Sequence, residues 1–148
     1  MERIEIKKLV LNYLKNQITN INSQIVALAQ DAQNDAKSSA GDKHETALSM
    51  MHLEQEKLNL KLAELLKMQQ SAQQLAENKL SEHVVLGSIV HTNSAIFYVS
   101  VPIQPIIFND LKIICVSIHA PLIQQFLNKT VGNVINFNNV SYKIEAIY

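Results

Sequence analysis

The chain has no tryptophan, one cysteine, three glycines and three prolines in 148 residues, and its formal net charge is zero. Each shortage excludes something. With Cys115 alone no internal disulfide can form, and its place in the apolar run LKIICVSI marks a small buried hydrophobe rather than a nucleophile. The 13 basic and 13 acidic side chains are interspersed. No basic field therefore exists to displace counterions from a duplex, and direct DNA or RNA binding by the chain alone is disfavoured. The opening MERIEIKKLV carries charge where a secretion signal needs an apolar core. No later run reaches the roughly 18 uninterrupted apolar residues of a membrane span. The expectation is a cytoplasmic protein without membrane contact. Glycine-rich phosphate loops, Cys-x-x-Cys pairs and nucleophile-elbow serines are missing, and His44, His52, His83, His91 and His119 do not fall at metal-ligand spacing on one helix face. Nothing resembles a self-contained active site, so the chain is not expected to be an enzyme by itself.

What is present divides the chain in two. Residues 1–80 hold ten basic and ten acidic residues, whereas 81–148 hold three of each and most of the β-branched and aromatic residues. In the first part Leu11, Leu14, Ile18, Ile21, Ile25, Leu28, Ala32 and Asp35 alternate at spacings of three and four, which keeps one stripe on one helix face. Met51, Leu58, Leu62, Leu65, Gln69, Ala72 and Ala76 follow the same rule with one turn skipped, and no proline or glycine lies between Asp42 and Leu86. Two long helices joined by a few residues can cover each other's stripes as an antiparallel hairpin over 1–80, with a turn near 38–47. At about 1.5 Å per residue such helices reach roughly 50 Å, a rod too thin for an interior pocket.

From Glu82 onward the pattern changes to short apolar runs, VVLGSIVHT, AIFYVSV, LKIICVSI, VINF and YKIEAIY, with Asn138 and Asn139 as a hairpin turn. The run HAPLIQQFLNK predicts one helix, with Pro121 in its first turn, Leu122, Phe126 and Leu127 on one face and Lys129 near its end. Residues 102–110 are expected to form the main irregular connection. The fold class is α+β: a helical hairpin followed by a small antiparallel sheet over 81–148 with one packed helix.

The reversal SSAGDKHETA contains the one constellation with chemical content. Asp42 and Glu45, three apart after Gly41, fit a capping box at the start of the second helix. The same spacing gives two hard oxygen donors one turn apart at the end of a rod, which suit Mg²⁺. Two carboxylates on a convex tip cannot make a Mg²⁺ site, since the ion needs further ligands. The tip can complete a site that a partner supplies. Lys43 and His44, between the acids, are candidates for contacts with phosphate or acidic groups, or are simply solvated.

At this point the chain resembles the Gre-type transcript cleavage factors of bacterial RNA polymerase. AGDKHETA is similar to that family's Gly-Asp-x-x-Glu-Asn-Ala signature at Gly41, Asp42, Glu45 and Ala47. APLIQQFLNKTVGNVINF, followed by YKIEAIY, is similar to its second-domain stretch at Pro121, Leu122, Lys129, Val131 and Gly132. The resemblance implies an FK506-binding-protein-like second domain that docks at the rim of the polymerase secondary channel, and a hairpin that passes down the channel. Asp42 and Glu45 would then help hold a Mg²⁺ shared with the polymerase beside a backtracked RNA 3′ end, which the polymerase itself cuts, with the factor acting as a monomer. The chain departs from the family at Thr46, Leu48 and Ser49, where an amide, an acid and an aromatic are usual, and at Ala120, Ile123, Asn128 and Asn133. The alternatives are a channel-binding regulator without cleavage stimulation, a peptidyl-prolyl isomerase and a coiled-coil adaptor.

Overall fold

The computed structural model describes the backbone of residues 1–38, 42–79 and 81–148, and their side chains except at 32, 34–38 and 42–44. Two helices come first, α1 (Arg3–Ser38) and α2 (Asp42–Gln73), of 36 and 32 residues. Six strands and a short helix follow: β1 (Ile89–Thr92), β2 (Ile96–Ser100), β3 (Ile106–Phe108), β4 (Leu111–Ser117), α3 (Pro121–Phe126), β5 (Val134–Phe137) and β6 (Val140–Ile147). The chain is α+β, a helical hairpin and a six-stranded sheet with one helix, as the sequence predicts. No helix among the described residues is long and apolar enough to cross a membrane.

Two compact units are formed. One holds Asn12–Gln69; the other joins Met1–Leu11 to Gln70–Tyr148. In the first, the expected stripe is the covered face: Leu14, Ile21, Leu58 and Leu65 are buried, and Ile18, Ile25, Leu28, Met51 and Leu62 half-buried. The turn that the sequence skips in α2 is occupied by Gln55, also half-buried, so the three-four spacing runs unbroken from Leu48 to Ala72. A glutamine at that position keeps the register while interrupting the apolar repeat.

The second unit has strand order β3-β4-β2-β1-β6-β5. Every pairing is antiparallel except β2 with β4, which are parallel from Ile96↔Ile113 to Ser100↔Ser117. This corrects the expected all-antiparallel sheet. Strand β2 stops before Pro102, which has no N–H to donate. The chain then runs out through Pro105 and returns as the β3–β4 hairpin, whose second strand slots in beside β2. The irregular stretch expected over 102–110 therefore shrinks, since residues 106–108 pair with β4. Asn109 and Asp110, at φ 49° and 63°, form a two-residue turn of the same kind as Asn138 and Asn139 at 49° and 65°.

One face of the sheet packs Val90, Phe97, Val99 and Ile144 against Ile123 and Phe126 of α3, with Val84, Ile135 and Ile147 closing the cluster. Ile123, not Leu122, is the residue that α3 buries with Phe126; Leu122 and Leu127 are half-buried at its margin. The opposite face presents Ile89, Tyr98, Ile113 and Cys115, each 4% exposed or less. Residues 1–11 and 70–79 bring Ile6, Val10, Ala72 and Leu75 into the same interior.

Candidate functional site

Asp42 is the first residue of α2 and Glu45 lies three residues on, so the helical backbone sets both on one face, one turn apart. Glu45 is exposed, and Ser49 follows it on that face, also exposed. The side chains of Asp42, Lys43 and His44, and Gly41 altogether, lie outside the described residues, as do the capping and contact roles expected of them. Leu48 is half-buried on the seam side of the helix. Among the described residues no cluster of three or more His, Cys, Asp or Glu could hold a metal ion. By type alone, two carboxylates are donors that Mg²⁺ accepts and are too few to enclose it.

A second constellation escapes sequence reasoning. Arg3 and Lys7, 5% and 8% exposed, are the buried cations of the compact unit. Arg3 donates from Nη1 to the Asn78 carbonyl at 2.6 Å and from Nη2 to the Tyr148 carbonyl. Lys7 Nζ donates to the carbonyls of Gln73 at 2.9 Å and Leu75 at 2.8 Å, with Glu77 Oε1 further off at 3.5 Å. A signal was available: Arg3, Lys7, Val10 and Leu14 continue the three-four spacing of α1 to its first turn.

Burial lowers the Arg3 pKa from the ordinary guanidinium range, and the same interior pushes the Tyr98 hydroxyl up to about 12 and the Cys115 thiol up to about 11. Cys115 is therefore a protonated, buried thiol at neutral pH, without the thiolate that nucleophilic chemistry needs. The Tyr98 hydroxyl and the Arg3 Nε are buried with no hydrogen-bond partner. Tyr98 faces Ile89 across β1 and β2, and Ile89 exchanges both backbone hydrogen bonds with Tyr148, the residue Arg3 also holds.

Phe97, Phe126 and Tyr142 pack on one another with ring centroids 5.6–5.9 Å apart at tilted and edge-on angles. Of the histidines, His91 lies on β1 with Nδ1 3.5 Å from Glu145 Oε2 on the neighbouring strand β6. The positions that differ from the family signature remain compatible with the fold: Asn128 takes a positive φ of 64°, and Asn133 Oδ1 accepts a hydrogen bond from the Thr130 N–H at 2.8 Å.

No protein-family model matches the chain, and none of the curated proteins does. Among solved structures it is similar to the crystal structure of GreA factor homolog 1 (Gfh1) of Thermus thermophilus, at 15% identity and a TM-score of 0.39 over 93% of this chain and 94% of that one. It is likewise similar to a structure of the transcription factor Gfh1, at 17% identity and a TM-score of 0.39, over 93% and 92% of the two chains. At that identity and TM-score the likeness shows no function for this chain.

Proposed function

We propose that this protein is an accessory factor of bacterial RNA polymerase that enters the secondary channel and stimulates the polymerase's own Mg²⁺-dependent cleavage of backtracked RNA. The observation that carries the reading is the acid pair Asp42 and Glu45 at the start of α2, one turn apart on a helix of 32 residues that follows one of 36. Such helices extend about 50 Å. A pair of carboxylates on a rod of that reach, too few to hold an ion alone, fits a metal site whose remaining ligands belong to the partner.

The sequence supports the same reading in two separate places, GDKHETA at the tip and APLIQQFLNKTVGNVINF in the second domain. Asp42 and Glu45 would hold the ion and orient the water beside it; Lys43 and His44 would contact phosphate or channel acids. Mg²⁺ bound there supplies a more acidic water and neutralises charge gathering on the phosphodiester. The factor acts in the cytoplasm as a monomer, and it meets RNA only inside the complex.

One observation favours a second reading, a channel occupant that does not stimulate cleavage. Leu48, where the Gre-type signature carries an acid, is half-buried toward the seam, so this position presents no further carboxylate. A stalled, backtracked elongation complex with end-labelled RNA separates the two. Wild-type protein should speed shortening of the RNA at least tenfold, and the Asp42→Ala, Glu45→Ala double variant should bind and fail to do so. Binding without acceleration by either protein would establish the second reading instead.

A further inference from the structure

Helix α2 ends at Gln73 without the usual stops. No basic residue lies in its last turn, and the next glycine is Gly87. The carbonyls left over at a helix C-terminus need donors, and they carry the negative end of the helix dipole. In this chain donors arrive from the other helix. Lys7 Nζ bonds the carbonyls of Gln73 and Leu75, and one turn earlier Arg3 bonds those of Asn78 and Tyr148.

We propose that Arg3 and Lys7 form a latch in which Lys7 caps the last carbonyl of α2, at Gln73, and the two cations together pin residues 73–78 to the first two turns of α1. Both cations are nearly fully buried, a position charged side chains seldom occupy unpaired; the Arg3 Nη1 and Nη2 groups and Lys7 Nζ are bonded, while Arg3 Nε has no partner. Their satisfaction comes from carbonyl dipoles rather than a carboxylate. Glu77 stands 3.5 Å from Lys7 and keeps 58% of its side chain in solvent, while the two carbonyls lie at 2.8–2.9 Å. The spacing of four between Arg3 and Lys7 puts both heads on the covered side of α1, where an apolar pair of the same length would leave four carbonyls without these donors.

The latch makes a local prediction that differs from that of a buried salt bridge. Amide hydrogen exchange of the intact protein under native conditions would be compared for wild type, Lys7→Met, Arg3→Met, Lys7→Arg and Glu77→Gln. Methionine keeps the length and helix propensity of the stem without the donors. Lys7→Met should speed exchange of the amides of residues 70–79 about ten- to a hundredfold, the range expected for losing charge-assisted hydrogen bonds, with amides in β1, β2 and β4 unchanged. Arg3→Met should do the same around residue 78 and the end of β6. Glu77→Gln should change little, and Lys7→Arg should retain most of the protection. Unchanged exchange in Lys7→Met would overturn the latch. So would a uniform loss across the unit, which marks general destabilisation, or an equal effect of Glu77→Gln, which would give the role to the ion pair.

Discussion

The two compact units bury their apolar residues to different depths. In the unit that holds the sheet, Tyr98, Phe126, Ile89, Ile113, Ile123 and Ile144 are below 2% exposed, enclosed from above, below and along the strands. Among the described residues of the Asn12–Gln69 unit only Leu14, near its edge, is below 2%; Ile21, Leu58 and Leu65 keep 6%, 8% and 7%, while Met50, Leu53 and Leu60 on the outer face of α2 are 63–67% exposed. A sheet with covered faces surrounds a side chain; a pair of helices can cover only one stripe of each. A thin rod reaches far at the cost of a core, and its sequence spends apolar residues on one seam.

The largest test of that difference is a pair of truncations. Phe126 touches Phe97 and Tyr142 in a closed cluster, so Phe126→Ala should cost about 3–5 kcal/mol of unfolding free energy in urea. Leu65→Ala should cost about 2 kcal/mol, at the low end for a core leucine, and its effect should be confined to exchange rates of helical amides. Equal costs at both sites would mean that the seam is as enclosed as the sheet interior.

A smaller effect concerns alkaline pH. The folded pKa of Tyr98 is raised from 10.0 to about 12 and that of Cys115 from 9.0 to about 11, both by burial. Between the ordinary and raised values the folded protein holds more protons than the unfolded chain. The contribution of each group is therefore complete below its ordinary pKa and lost as pH rises through the folded value. Thermal melts should fall between pH 9 and 12, with Tyr98 accounting for about 2 kcal/mol above pH 10. Tyr98→Phe should remove that share and be nearly neutral at pH 7, since the hydroxyl it deletes has no partner. A loss above about 1 kcal/mol at pH 7 would show that the hydroxyl is bonded.

The same contrast explains what could be read from the sequence. The seam was legible because Leu14, Ile18, Ile21 and Ile25 obey a local period, and the Asn138–Asn139 turn because asparagine tolerates the positive φ it needs. Asn109 and Asp110 carry the same chemistry, yet the prolines at 102 and 105 pointed to a loop and hid strand β3. The parallel pairing of β2 with β4 depends on where a hairpin inserts, which no local pattern encodes. Arg3 and Lys7 keep the spacing of the stripe without its apolar character, and the carbonyls that pair with them belong to a segment some seventy residues away, which no local pattern encodes. In α3, six residues are too few for a period to separate Leu122 from Ile123. The acid pair at the tip rests on spacing, and the side chain of Asp42 lies outside the described residues.

The central claim is that the α1–α2 turn sits at the polymerase metal centre, and the most direct measurement maps it there. Fe²⁺ would replace Mg²⁺ in a backtracked elongation complex bound to this protein, and peroxide would then generate hydroxyl radicals at the metal. Cleavage of this chain should be confined to about residues 38–49, above the background without polymerase. Cleavage elsewhere on the chain, or none above background in a complex shown to contain the protein, would contradict that claim.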